Sequence, residues 1–284
     1  VPGAAGLCAG CSWTFAAASA ILFFMKEEKD KERLDKVLSN NGFGSRKSVR
    51  SLIRSGAVSV NGQTVLLPDA HVSVTLDRIC VNGEEQRVIR HVYLMMNKAA
   101  GYVCSTKCGE HKTVFDLLDE TYLGKYLGGT IAAVGRLDVD TEGLLVFTTD
   151  GSLNHFLTAP KNRIPKTYLV RLRDDVPPET QEKYTRKLAD GIHIEADGQE
   201  AAADCLGAAC SWLAPAECTL TIYEGKYHEV KRMFLALGNE VVYLKRVRMN
   251  GLELDPALAP GQYRELTGGE LELLARRPDE TAPA

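Results

Sequence analysis

Gly135-Arg136-Leu137-Asp138-Val139-Asp140-Thr141-Glu142-Gly143-Leu144-Leu145 is the stretch that decides the fold. An apolar segment, Ile131 to Val134, runs into it, and a second, Leu144 to Phe147, runs out. Between them stands a Gly-Arg-Leu-Asp turn. The pattern predicts two buried segments that meet with the Asp138 carboxylate at their junction, beside Arg136. A carboxylate removed from water is costly unless something pairs with it, and chains keep such groups where they use them. Asp138 is therefore the first candidate for chemistry.

Working outward, 284 residues suffice for one large domain or two. Hydrophobic residues make up 45% and charged residues 25%, an ordinary globular balance. The formal net charge of −3 excludes a uniformly basic nucleic-acid binder, so any such surface must come from local clusters of Lys and Arg. The eight cysteines form no disulfide framework. Cys8 and Cys11 have metal-ligand spacing but no second pair nearby, so no metal site is predicted and the thiols are expected to be reduced, in a cytoplasmic protein. Val1 to Phe24 carries no charge and is followed by Met25 and the charged run Lys26 to Arg33. It lacks the basic start of a signal peptide, and Trp13 to Phe24 is too short to span a bilayer. Met25 is expected to be the natural start, with residues 1–30 an unstructured leader. A membrane anchor is the lesser alternative.

Leu34, Val37 and Leu38 follow helical spacing, and Gly42 and Gly44 end that helix. Ser45 caps a second predicted helix through Ser55, with Val49, Leu52 and Ile53 as its apolar stripe. Arg46, Arg50 and Arg54 recur every fourth residue on an adjoining face, with Lys47 beside them. Val58 and Val60 then alternate with polar residues, Asn61-Gly62 makes a tight turn, and Thr64 to Leu66 returns. By itself such a charge run is usually a solvated face. Glu32 to about Asp77, however, resembles an S4 domain at Arg33-Leu34-Asp35, Ser45-Arg46-Lys47 and Val60-Asn61-Gly62. The resemblance implies that Arg46, Lys47, Arg50 and Arg54 hold RNA phosphates, which suit guanidinium geometry and position the protein without reading sequence.

From Val92 the pattern changes. Tyr93 to Met96 predicts a strand leading into Asn97-Lys98-Ala99-Ala100-Gly101-Tyr102, and Thr113 to Leu118 a short helix. Asp150 caps a helix from Gly151 to Thr158 that Pro160 stops. Lys161, Arg163 and Lys166 cluster ahead of a strand opened by Lys166-Thr167-Tyr168. Pro177-Pro178 opens a helix to about Asp190, with Gly191 at its end. Ile192 to Trp212 has little pattern. Thr219 to Tyr223 alternates as a strand, Glu224-Gly225-Lys226-Tyr227-His228-Glu229-Val230-Lys231-Arg232-Met233-Phe234 enters a helix ending at Gly238, and Val241 to Val247 returns as a strand.

The Gly135–Leu145 stretch, Lys166-Thr167-Tyr168 and Glu224–Phe234, in that order, resemble the three motifs of the pseudouridine synthases, specifically the ribosomal small subunit pseudouridine synthase A (RsuA-like) family. Ala99 stands where proline is usual and Glu229 where glutamine is usual. The resemblance runs from Glu32 to about Leu273. It implies an α+β fold: an S4-like RNA-binding domain over residues 31–84, a linker over 85–91, and a catalytic domain over 92–273 on a mixed, largely antiparallel sheet with flanking helices. Residues 274–284 are expected to form a disordered tail. It further implies Asp138 as nucleophile, Tyr168 stacked on the target base, Lys231 paired with Asp138, and Arg136 supporting the displaced nucleotide. Lys166 and Arg232 are expected as further RNA contacts. The implied reaction is an isomerisation of uridine without a cofactor.

The expected partner is ribosomal RNA, with no membrane partner, and the expected state is a monomer. Tyr227-His228 favours a small-subunit (16S) target over a large-subunit (23S) one. Two other classes compete with this reading. Asp138-Val139-Asp140-Thr141 mimics an Asp-x-Asp phosphatase site, but Glu142 stands where Thr or Val is normal there, and no downstream acidic pair completes a metal site. A non-catalytic rRNA-binding or assembly protein is compatible with the S4-like module, and is disfavoured by Asp138, Tyr168 and Lys231 occurring together.

Overall fold

The computed structural model describes residues 31–74, 76–86, 88, 91–106, 112–123, 130–198 and 200–278. The expected leader and Met25 start lie outside the described residues. The chain divides into two compact units between Arg90 and His91.

The first unit holds β1 (Lys31–Arg33), α1 (Leu34–Asn40), α2 (Arg46–Arg54), β2 (Val58–Val60), β3 (Gln63–Thr64), β4 (His71–Ser73), β5 (Ile79–Val81) and β6 (Glu84–Glu85). Leu34, Val37 and Leu38 of α1 and Val49 and Ile53 of α2 meet Val58, Val72, Ile79 and Val81 in one core. Ser45 caps α2 by accepting from the Ser48 amide. Asn61 and Gly62 both take the left-handed conformation, φ 52° and 81°, which the two-residue turn between β2 and β3 demands. The returning strand is shorter than expected and ends at Thr64. Arg46, Lys47, Arg50 and Arg54 are all exposed. Arg50 also pairs with the buried Asp35 carboxylate at 2.9 Å, as does Arg33.

The second unit holds β7 (Tyr93–Lys98), α3 (Glu120–Leu123), β8 (Ala132–Ala133), β9 (Glu142–Thr148), α4 (Gly151–Thr158), β10 (Lys166–Leu172), α5 (Pro178–Ala189), β11 (His193–Ile194), β12 (Ala203–Asp204), β13 (Ala209–Ala214), β14 (Glu217–Ile222), α6 (Glu229–Ala236), β15 (Val241–Met249), β16 (Leu252–Glu253), β17 (Tyr263–Glu265) and α7 (Gly268–Ala275). One large sheet runs in the order β13-β14-β10-β15-β9-β7-β17, with β8 on β9 and β16 on β15. Its pairings are antiparallel except β9 with β15. Both β7 and β9 are buried on both faces, as central strands are, and Leu144 to Phe147 have no exposure.

One row of this sheet matters for function. Gly143 at the head of β9 pairs with Arg246, Arg246 with Tyr168, and Tyr168 with Leu220. The turn that carries Asp138 therefore ends one strand from Arg246 and two from Tyr168. The close approach requires glycine. Gly143 has φ 99°, and a Cβ there would lie 2.2 Å from the Arg246 carbonyl oxygen.

The structure fills in one stretch of this unit and changes one expectation. Ile192 to Trp212, patternless in sequence, forms the β11–β12 hairpin and most of β13. The first residues of the expected 274–284 tail are instead packed: α7 reaches Ala275, Leu274 is fully buried, and the Asn250 amide donates to the Leu274 and Arg276 carbonyls at 2.8 and 2.6 Å. Among the described residues, no helix is long and apolar enough to cross a membrane.

Candidate active site

The Asp138 turn is folded around a buried ammonium. Lys98 ends β7 with no exposed surface. Its Nζ donates to the carbonyls of Ala99 at 3.1 Å, Asp138 at 3.0 Å, Val139 at 3.2 Å and Thr141 at 2.8 Å. An ammonium has three N–H groups and no acceptor, so a ring of carbonyls is the environment that satisfies it. Burial holds the Lys98 amine below its usual range. The Gly101 amide adds a bond to the Val139 carbonyl at 2.7 Å. The sequence displays Lys98 inside a motif but gives no hint of this function, since lysine is rarely buried.

Lys231, in the first turn of α6, reaches the same turn. Its Nζ lies 3.5 Å from Asp138 Oδ2 but only 2.6 and 2.8 Å from the two oxygens of Asp140. Burial raises the Asp140 carboxyl, yet the Lys231 ammonium outweighs it and holds the group below its ordinary value. The expected Asp138–Lys231 pair is thus a shared cation with Asp140 as the nearer partner. His228 Nε2 stands 4.0 Å from Asp138 Oδ1. Glu142, at the start of β9, accepts from the Tyr243 hydroxyl at 2.9 Å.

Asp138, Tyr168 and Lys231 line one cavity of about 630 Å³, which Arg136, Lys166, His228, Leu244 and Arg246 also line. The volume suits a small ligand or one extruded nucleotide. Tyr168 is buried, and desolvation pushes its phenol above its usual range, so it is a neutral ring at physiological pH. Arg246 is buried beneath it and donates from Nε to the Leu144 carbonyl at 2.7 Å. Arg136 is exposed.

Two expected RNA contacts are placed differently. Lys166 turns inward: its Nζ donates to the Ile164 and Glu224 carbonyls at 3.2 and 3.3 Å, and burial brings its amine down to about 8. Arg232 is buried. Its guanidinium donates to the Glu195 carbonyl at 2.9 and 2.5 Å, to Ala201 at 2.8 Å and to Tyr227 at 3.0 Å. It ties α6 to both arms of the β11–β12 hairpin, which commits four of its five N–H groups to backbone carbonyls rather than to phosphate.

Glu229 is buried in the first turn of α6 and accepts from the Lys226 amide at 2.7 Å. Burial pushes its carboxyl up to about 7, so at neutral pH it carries only part of a full negative charge. Cys205 and Glu224 adjoin it. The thiol is pushed up to about 12 by burial, and Lys226 pairs with Glu224. A metal would have to displace protons from two of these three groups, so they do not make a good cation site. The folded state binds more protons than the unfolded one between about pH 4 and 7, so stability is lost as pH rises through that window. Glu229→Gln removes the ionisation. It is expected to stabilise the fold at pH 8 by about 2 kcal/mol more than at pH 5, measured by urea unfolding at both.

With the fold and site in view, this is an α+β protein whose cavity sets a carboxylate, a buried aromatic ring and a cation together, as an enzyme site does. Comparisons agree. Residues 92–236 match the family described as RNA pseudouridylate synthase, and residues 32–77 match the S4 domain. The "Uncharacterized RNA pseudouridine synthase YtzG" of Bacillus subtilis is 42% identical over 244 residues, which is 85% of this chain and 98% of that protein. "Ribosomal small subunit pseudouridine synthase A" of Escherichia coli K12 is 39% identical, covering 84% and 98%. That of Pasteurella multocida is also 39% identical, covering 84% and 97%. A solved structure titled "Crystal structure of pseudouridylate synthase" superposes with a TM-score of 0.58 at 37% identity, over 85% of this chain and 99% of that one. The chain belongs to the RNA pseudouridylate synthase family, in its ribosomal small subunit pseudouridine synthase A branch, and is an isomerase acting on RNA.

Proposed function

We propose that the protein converts one uridine of small-subunit ribosomal RNA to pseudouridine, with Asp138 as the nucleophile. The observation that carries this is the shared cavity: an Asp138 carboxylate, a neutral Tyr168 ring and the Lys231 ammonium around a space of nucleotide size. The small-subunit target is supported by relatives of that name at 39% identity over almost their full length. The reaction breaks the ribose C1′–N1 bond, forms C1′–C5, moves a proton off C5 and leaves one on N1. Asp138 serves the ribose, and Lys231 stands beside it as a countercharge. Tyr168 walls the detached uracil, holding it near without fixing its orientation. Arg136 supports the nucleotide pulled from its stack, a step costing a few kcal/mol. Arg46, Lys47, Arg50 and Arg54 hold phosphates elsewhere on the RNA. The protein is read as a monomer acting where ribosomal RNA is found, in the cytoplasm.

The test is incubation of the purified protein with unmodified small- and large-subunit rRNA transcripts, followed by mapping of pseudouridine. One new pseudouridine in the small-subunit RNA is expected. Modification confined to the large-subunit RNA would move the target, and none in either would remove the proposal.

A further inference from the structure

The reaction as described makes no use of His228, yet the fold goes to some length to place it. His228 takes a left-handed backbone conformation, φ 47°, which costs a residue with a side chain about 1–3 kcal/mol and persists where surrounding structure enforces it. Its carbonyl accepts from the Arg232 amide at 2.9 Å. Its imidazole is stacked by the Tyr227 ring at 3.7 Å and 26°. Nδ1 lies 2.8 Å from Asp197 Oδ2, at the tip of the β11–β12 hairpin. Nε2 faces Asp138 Oδ1 at 4.0 Å.

We infer that His228, held by Asp197, is a positioning residue that fixes the Asp138 carboxylate for attack. The inference rests on the function proposed above. Two arguments support it. Lys231 is drawn to Asp140 by two contacts shorter than its single one to Asp138, so it constrains only one side of the nucleophile. His228 stands on the other oxygen. The ring thus presents one nitrogen to Asp197 and the other to Asp138, bridging the hairpin and the nucleophile. The other charged groups around the ring are Asp140, from the same turn as Asp138, and Lys231 from its own helix. Both arms of the hairpin are fastened to α6 by Arg232. Positioning therefore runs from Arg232 through the hairpin to Asp197, then to His228 and Asp138.

The test uses the full chain and the small-subunit rRNA transcript, with single-turnover rates at saturating RNA and RNA affinity measured separately. His228→Gln is expected to lower the rate about 10- to 100-fold and to leave RNA affinity unchanged. Asp197→Asn, at a half-buried turn, keeps the shape but removes the charge facing the ring, and is expected to lower the rate by a smaller factor, again with affinity unchanged. It carries the test should His228→Gln lose its fold. A His228→Gln rate within twofold of wild type, an Asp197→Asn rate equal to wild type, or a loss carried by RNA affinity overturns the inference. Absence of pseudouridine with the wild type would instead overturn the proposed function.

Discussion

Asp138→Asn is expected to abolish pseudouridine formation, by about four orders of magnitude or more, while RNA affinity stays within about threefold of wild type. The expectation of a clean loss comes from the geometry. Asparagine is isosteric, and the Asp138 side chain is 28% exposed, so no cavity opens and no buried charge is orphaned. The turn is held through backbone carbonyls bound to Lys98, one of them that of residue 138 itself, and these do not depend on the side chain. Lys231 keeps Asp140, its nearer partner. What disappears is the charged oxygen facing the cavity. Quantitative detection of pseudouridine in the transcript, beside filter binding with the same RNA, separates the two effects. Retained modification would assign the nucleophile elsewhere.

Much of this architecture was legible from local chemistry. The Ser45 and Asp150 caps, the Asn61-Gly62 turn and the Pro178 helix start each rest on groups adjacent in sequence, and each appears where expected. The apolar run Leu144 to Phe147 marks a strand covered on both faces. Less legible were the features decided at a distance. The β11 and β12 strands have two residues each, too few for a period to show. Lys231 and Arg232 look alike in sequence, yet a helix turns about 100° per residue. One therefore faces Asp138 while the next is carried inward with Met233 and Phe234, both fully buried. Asp140 looks like a surface acid until Lys231 arrives from 91 positions away. Asp197 sits in a stretch with no pattern at all, and its relation to His228 exists only once α6 and the hairpin are fastened together.

Lys98→Met is the expected counterpart to Asp138→Asn, because it leaves every reacting group in place and removes what holds them. Methionine keeps most of the apolar stem, so the change is close to a deletion of the ammonium. Two effects oppose each other. Burial disfavours the Lys98 ammonium, and its removal relieves that penalty. Against this, the carbonyls of Ala99, Asp138, Val139 and Thr141 lose their common donor. Hydrogen bonds from a charged donor contribute about 1.5–3 kcal/mol each, and acceptors left dry bear the full desolvation penalty. The second effect outweighs the first, for a net loss of about 2–4 kcal/mol of stability. The rate should suffer more than the fold. The Gly101 bond to Val139 alone does not fix the carbonyls on either side of it, and misplacing a reacting group by about 1 Å costs about 100-fold. A drop of at least that size in the single-turnover rate, with RNA affinity within about threefold, is the predicted signature. The phosphate-holding residues proposed here lie in the other unit. Urea unfolding and single-turnover assays on the same preparation measure both quantities. A Lys98→Met protein within tenfold of the wild-type rate would mean that the turn keeps its shape without the ammonium, and that the sheet row through Gly143, Arg246 and Tyr168 is sufficient to set the site.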